Sequence, residues 1–167
     1  MIRISPTFGW RAADFEDLSG WYQGSSDAVS PFFDYVRSAS PVTTSGLRAV
    51  LSKLEGPFAV VAKKNSRIYC ATDGVRSCPV FYAQEPGRFS VSNSAEALKD
   101  SWELREVNLE ALLEFPMAGY VTGRETLLAR LYQLQAAEFV FLCVVDSQDA
   151  RSAQLQAPSL PPSWLTL

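Results

Sequence analysis

Phe58-Ala59-Val60-Val61-Ala62 carries apolar side chains on both of its alternating faces, and so does Phe139-Val140-Phe141-Leu142-Cys143-Val144-Val145. Successive strand residues point to opposite sides of a sheet, so neither segment can leave one face in water. Each must lie in a sheet that is covered on both sides. Between them, apolar runs at 58–62, 67–72, 80–83 and 88–92 alternate with turn chemistry. Lys64-Asn65-Ser66 makes one hairpin turn, and Glu85-Pro86-Gly87-Arg88 suits a type II turn. The pattern is a meander of antiparallel strands.

Outward from this meander the period changes. Leu47, Val50, Leu51 and Leu54 predict a helix that starts at Ser45 or Gly46 and stops at Gly56. Asn108 can cap a second helix through Leu109, Leu112 and Leu113, with Glu110 favourable in its first turn and Pro116 ending it. The first 45 residues are rich in aromatics but broken by Gly, Ser and Pro; a short strand at 2–5 and a helix at 31–37 are expected there. Sheet against sheet with helices outside satisfies all of these faces, giving an α+β fold. After Asp146 the composition turns to Ser, Gln, Ala and Pro, so a domain is expected over 1–149 and an extended tail over 150–167.

A chain of 167 residues is long enough for one domain that buries about 70% of its unfolded surface. Its apolar share of 47% comes without any run near the roughly 18 residues of a membrane span. The opening has no basic region leading into an apolar one, so no signal peptide and a cytoplasmic location are expected. Net charge is −3 with Lys and Arg scattered, which argues against a nucleic-acid partner. The absence of histidine excludes Ser-His-Asp and Cys-His catalysis and His-containing metal sites. Cys70, Cys78 and Cys143 lack C-x-x-C spacing and read as reduced, buried thiols. No cofactor or metal is expected.

Three segments in order resemble the second half of the class II glutamine amidotransferase domain of asparagine synthetases: Leu54-Glu55-Gly56-Pro57-Phe58-Ala59-Val60, Thr72-Asp73-Gly74-Val75-Arg76-Ser77-Cys78-Pro79-Val80-Phe81-Tyr82 and Gly119-Tyr120-Val121-Thr122-Gly123-Arg124-Glu125-Thr126-Leu127. The family writes them L-x-G-x-F-A, R-D-x-x-G-x-x-P-L-Y-Y and G-Y-V-P-G-x-x-T-L. Ser92-Asn93-Ser94-Ala95-Glu96-Ala97-Leu98 resembles its A-S-E-x-K-A-L, and the stretch from Leu131 to Phe139 resembles its I-x-K-L-P-P-G-H-Y. The resemblance covers about residues 47 to 145. It implies the N-terminal-nucleophile fold, a four-layer αββα sandwich, here abbreviated in its N-terminal half.

The departures bear on activity. The family's nucleophile is a cysteine following the initiator methionine, and Ile2 stands there without an attacking atom. Losing a primary nucleophile lowers turnover on the order of a millionfold, so no glutaminase activity is expected. The substrate-binding patterns R-H-R-G-P-D and N-G-E-I-Y-N are missing, and Arg76 replaces a glycine. Two candidate ligand-binding residues remain. Asp27, in Gly24-Ser25-Ser26-Asp27, resembles the family's G-S-D, although the distance onward to Gly56 is longer; otherwise it is a turn or N-cap aspartate. Asp73 matches the R-D pattern or is a hydrogen-bonding turn residue.

The expected role is therefore a catalytically inactive docking module for a separate ATP-pyrophosphatase-type synthetase, since no S-G-G-x-D-S loop is present. The alternatives are an amino-acid sensor using the vestigial pocket, or a hydrolase processed to expose Ser5 or Thr7. A homodimer is expected, formed through the aromatic opening with Trp10 and Trp21 or through the tail with Leu160 and Trp164.

Overall fold

A computed structural model describes residues 1–85 and 88–143. In chain order the elements are β1 (Ile2–Arg3), a single 3-10 turn (Thr7–Gly9), β2 (Arg11–Phe15), β3 (Leu18–Gln23), α1 (Ser26–Ser38), α2 (Thr44–Leu51), β4 (Ala59–Lys64), β5 (Arg67–Thr72), β6 (Phe81–Glu85), β7 (Arg88–Ser92), α3 (Ala95–Ser101), α4 (Leu109–Ala118), β8 (Leu131–Gln133) and β9 (Phe139–Cys143). Among the described residues this is a mixed α+β fold with two sheets and four α-helices. One sheet is antiparallel in the order β2-β3-β4-β5-β9. The other has the order β1-β7-β6-β8, with β1 parallel to β7. The tail, the end of the strand expected at 139–145 and the centre of the turn at 85–88 lie outside the described residues.

The two doubly apolar segments sit on either side of β5. Alternation sends Val60, Ala62, Tyr69, Ala71 and Phe139 toward α1 and α2, where they meet Val29, Phe32, Phe33, Val36, Leu47 and Leu51. It sends Ala59, Val61, Ile68, Cys70, Val140 and Leu142 toward the second sheet, where they meet Val80, Tyr82, Phe89 and Val91. Both faces of β4 are thus closed. The opposite face of the second sheet contributes Phe81, Ala83 and Leu131 to a third cluster with Leu98, Trp102 and Leu104. Each fully buried large side chain contributes about 1.5–3 kcal/mol, so these clusters hold the fold together.

α1 starts at Ser26, earlier than the helix expected at 31–37, and its apolar residues 29, 32, 33 and 36 follow the i, i+3, i+4, i+7 rule toward the sheet. The Lys64 ammonium donates to the carbonyls of Val36 (2.9 Å) and Ala39 (3.5 Å), and so satisfies the C-terminal end of α1 from β4. α2 is capped by the Thr43 hydroxyl, which accepts from the Gly46 N–H.

The opening corrects the reading of its sequence. It forms the β2–β3 hairpin at the edge of the first sheet, which its broken pattern concealed. Gly20 makes this possible: a Cβ there would lie 2.5 Å from the Phe33 ring and 2.9 Å from the Ala13 carbonyl oxygen. Trp10 is only 4% exposed and packs between the sheets, with Trp21 partly buried against the same cluster, so these two tryptophans do not form the exposed surface expected for association, and Phe8 alone of the opening's aromatics is largely exposed among the described residues.

α4 is the second correction. Asn108 caps it as expected, its side chain accepting from the Ala111 N–H, but the helix runs through Pro116 and ends at Gly119, whose φ of 78° is the left-handed conformation that glycine adopts freely. Its apolar spacing does not mark a core face. Only Ala111 is buried, while Leu109, Leu112, Leu113 and Met117 are exposed.

Candidate functional site

In the implied family, chemistry begins at the second residue. Ile2 here pairs with Val91 across β1 and β7, and its side chain packs against the cluster between the sheets. The Met1 ammonium donates to the Phe89 carbonyl at 2.6 Å, and burial, helped by Lys63, Arg88 and Arg3, lowers its pKa. The adjoining cleft of about 180 Å³ is lined by Arg3, Arg88, Ser90 and Trp102 among others, with the Arg88 guanidinium 4.1 Å from the Trp102 ring centroid. Among the described residues no carboxylate or cysteine lines it. Ser5 is held through its backbone, its N–H donating to Asn93 Oδ1 and its carbonyl accepting from Asn93 Nδ2, and its hydroxyl meets only the N–H and hydroxyl of Thr7 among the described residues.

Asp73 is buried, and its carboxylate accepts from the backbone N–H groups of Phe58 (2.9 Å), Val75 (2.8 Å) and Ser77 (3.1 Å). Both oxygens are engaged in fixing the turn after β5 to the start of β4. Asp27 is exposed in the first turn of α1, where the helix dipole favours it, and accepts from the Ser26 hydroxyl at 3.4 Å. The two aspartates share no hydrogen-bond partner among the described residues. Burial pushes the Cys70 thiol far above its ordinary pKa and raises that of Cys78, so neither forms a reactive thiolate.

Two features escaped the sequence. The first is a polar cluster. Glu138, 5% exposed, pairs with Arg124 at 2.5 Å and accepts from the Gln135 N–H at 2.7 Å, beside Tyr82 stacked on Tyr132 with ring centroids 5.3 Å apart. Desolvation raises the Tyr82 pKa well beyond the usual phenol range against the opposing pull of Arg124. This cluster ties the loop after α4 to the connection between β8 and β9, where the Gln135 amide also donates to the Gly123 carbonyl. Its members are far apart in sequence and each is an ordinary surface residue type, so only the fold unites them.

The second is an apolar groove of about 380 Å³ between the C-terminal end of α4 and the second sheet, lined by Phe81, Ala95, Phe115, Tyr120, Leu127 and Leu131. Gly119 to Leu128, which contains the third resemblance segment, forms much of its wall. Arg76, Glu125 and Gln133 stand at this groove, where the Glu125 carboxylate accepts from the Asn108 amide and the Glu125 backbone carbonyl accepts from the Gln133 amide. Among those residues no group of acidic, Cys or His side chains could hold a metal ion, and no helix is long and apolar enough to cross a membrane.

Arg76 and Ala137 add a backbone observation. Both occupy positions where the resembled patterns have glycine, and both adopt left-handed φ, 54° and 56°. Each of the two turns thus holds a glycine-type conformation with a residue that carries a Cβ.

Neither a protein-family model nor a curated protein sequence matches the chain. Among solved structures it is similar to the glutamine phosphoribosylpyrophosphate amidotransferase from B. subtilis complexed with ADP and GMP, at 11% identity and a TM-score of 0.44, covering 80% of this chain and 29% of that one. It is also similar to PppA, a key regulatory component of T6SS in Pseudomonas aeruginosa, at 15% identity and a TM-score of 0.28, covering 80% of this chain and 68% of that one. Both likenesses are too slight to argue from.

Proposed function

We propose that the chain is a catalytically inactive glutamine amidotransferase-like domain, related to the glutaminase domain of asparagine synthetases and built as a four-layer αββα sandwich, that docks onto a separate ATP-dependent synthetase. The observation that carries this reading is Ile2. An apolar side chain packed against the cluster between the sheets occupies the place where the resembled family needs its nucleophile, and no carboxylate is among the described residues that line the adjoining cleft. The groove beside α4 supports the docking half, because its floor is apolar and its wall is a resemblance segment rather than a catalytic loop.

Two measurements test the reading. Purified protein incubated with glutamine should release no ammonia above a buffer blank; release that persists after substitution of all three cysteines overturns inactivity. Affinity purification from the native organism should recover an ATP-pyrophosphatase-type synthetase with the wild-type chain and lose it with Leu127→Asp in the groove. Recovery of no such enzyme overturns docking.

A further inference from the structure

Strand alternation divides β1 and β7 between two faces. Ile2, Phe89 and Val91 point between the sheets, so Arg3, Arg88 and Ser90 point to the other side. Ser90 pairs with Ala83, which packs against Leu98 and Trp102, so that side is the one α3 occupies. The cleft of about 180 Å³ opens there, with Ser90, 3% exposed, at its floor and the two exposed arginines around it. Ile2 turns its side chain away from it.

The cleft combines one sign of charge with unmet donors. Neither Arg3 nor Arg88 is ion-paired among the described residues. Arg88 spends one of its five N–H donors on the Ser101 carbonyl at 3.2 Å and lies over the Trp102 ring. The charges felt at the neighbouring Met1 amine are those of Lys63, Arg88 and Arg3, all positive, in a chain whose net charge is −3. Trp102 is 7% exposed, and its indole N–H is buried without a hydrogen-bond partner among the described residues. A donor left in that state is an exception in folded proteins and is relieved by an acceptor oxygen.

We propose that this cleft binds the phosphate of a small phosphomonoester, with Arg3 and Arg88 supplying charge and Ser90 and Trp102 supplying neutral donors. The register brings these groups together. Arg3 lies beside Ser92, so Ser90 is midway along β7 between Arg88 and the partner of Arg3, about 7 Å from each. Long side chains on either side converge over it. A phosphate matches the set better than a carboxylate does, because its charge approaches that of two guanidiniums and its three tetrahedral oxygens accept from several directions. A planar carboxylate is satisfied by a single guanidinium fork. The Met1 ammonium is engaged by the Phe89 carbonyl and takes no part. The volume lies below the roughly 300 Å³ at which pockets for drug-sized ligands begin, which keeps the ligand small. No residue lining this cleft also lines the groove beside α4, so phosphate binding and docking stand or fall separately.

The test titrates glycerol phosphate into the isotope-labelled full chain and follows its amide spectrum, with acetate and glutamate as comparators at the same ionic strength. The indole N–H signal of Trp102, assigned by its loss in Trp102→Phe, should shift to saturation in the millimolar range or below. That of Trp10, packed between the sheets, should stay in place. Both carboxylates should bind at least about tenfold more weakly. Arg3→Gln and Arg88→Gln should each raise the dissociation constant at least about tenfold, the loss expected for a charge-assisted hydrogen bond. Arg11→Gln, which removes an exposed cation on β2, should leave it unchanged. No saturable shift at Trp102, an affinity for glutamate equal to that for glycerol phosphate, or binding indifferent to both Arg3→Gln and Arg88→Gln overturns the proposal.

Discussion

α1 and α4 carry the same apolar spacing and put it to opposite use. Val29, Phe32, Phe33 and Val36 lie at i, i+3, i+4 and i+7 and are buried; Leu109, Leu112, Leu113 and Pro116 lie at the same offsets and face solvent. The difference is in what the rest of each helix does. α1 follows β3 directly, its C-terminal carbonyls are satisfied by Lys64 from the sheet, and the ring of Phe33 rests over Gly20. α4 has no basic residue in its last turn and inserts only Ala111 into the domain. Spacing establishes which side chains share a face; where that face points depends on the elements that anchor the helix.

The comparison breaks first at Phe32. Phe32→Ala leaves a cavity against the first sheet and should destabilise the fold by about 3–5 kcal/mol in a denaturant titration. A loss under about 1 kcal/mol would mean that α1 is no better seated than α4. Next comes its contact with the hairpin: Gly20→Ala places a methyl against the Phe33 ring and the Ala13 carbonyl and should destabilise by about 1–3 kcal/mol. Near-neutral behaviour would show that the hairpin and α1 separate without penalty.

The caps sharpen it further. Ser25 before α1 makes no side-chain capping bond, whereas Asn108 caps α4. Asn108→Ala should weaken α4 by about 1 kcal/mol, read as faster amide exchange confined to that helix, while Ser25→Ala should leave α1 unchanged. Equal effects on both helices would remove the distinction. The smallest effect is expected at Leu113→Ser, which should alter the unfolding free energy of the isolated chain by no more than about 0.5 kcal/mol, because the side chain touches little of its own domain. A loss of several kcal/mol at a concentration where the protein is monomeric would place Leu113 in a core.

Much of the architecture was legible in the residues. The doubly apolar stretches located β4 and β9 because a strand with two dry faces has few places to go, and Asn108 marked the start of α4 through its own chemistry, whereas α2 ends at Leu51, short of the stop expected at Gly56. The β2–β3 hairpin was not legible, since Ala13 and Gly20 pack through closeness rather than bulk. Neither was the direction of the α4 stripe. Of the candidate site, Asp73 was readable as a turn residue, whereas the joining of Arg124, Glu138 and Tyr82 depends on three elements that meet only when folded.

The left-handed backbone at Arg76 and Ala137 has a consequence for what holds a turn in place. A residue with a Cβ is disfavoured in that conformation, by on the order of 1–2 kcal/mol, yet the chain holds it twice where the resembled patterns have glycine. Both backbones are anchored at one point, the Asp73 carbonyl, which accepts from the Arg76 N–H at 3.2 Å and from the Ala137 N–H at 2.8 Å. The Asp73 carbonyl is therefore a shared hinge post for two separate turns, and Arg76→Gly or Ala137→Gly would relieve side-chain crowding without redirecting the chain.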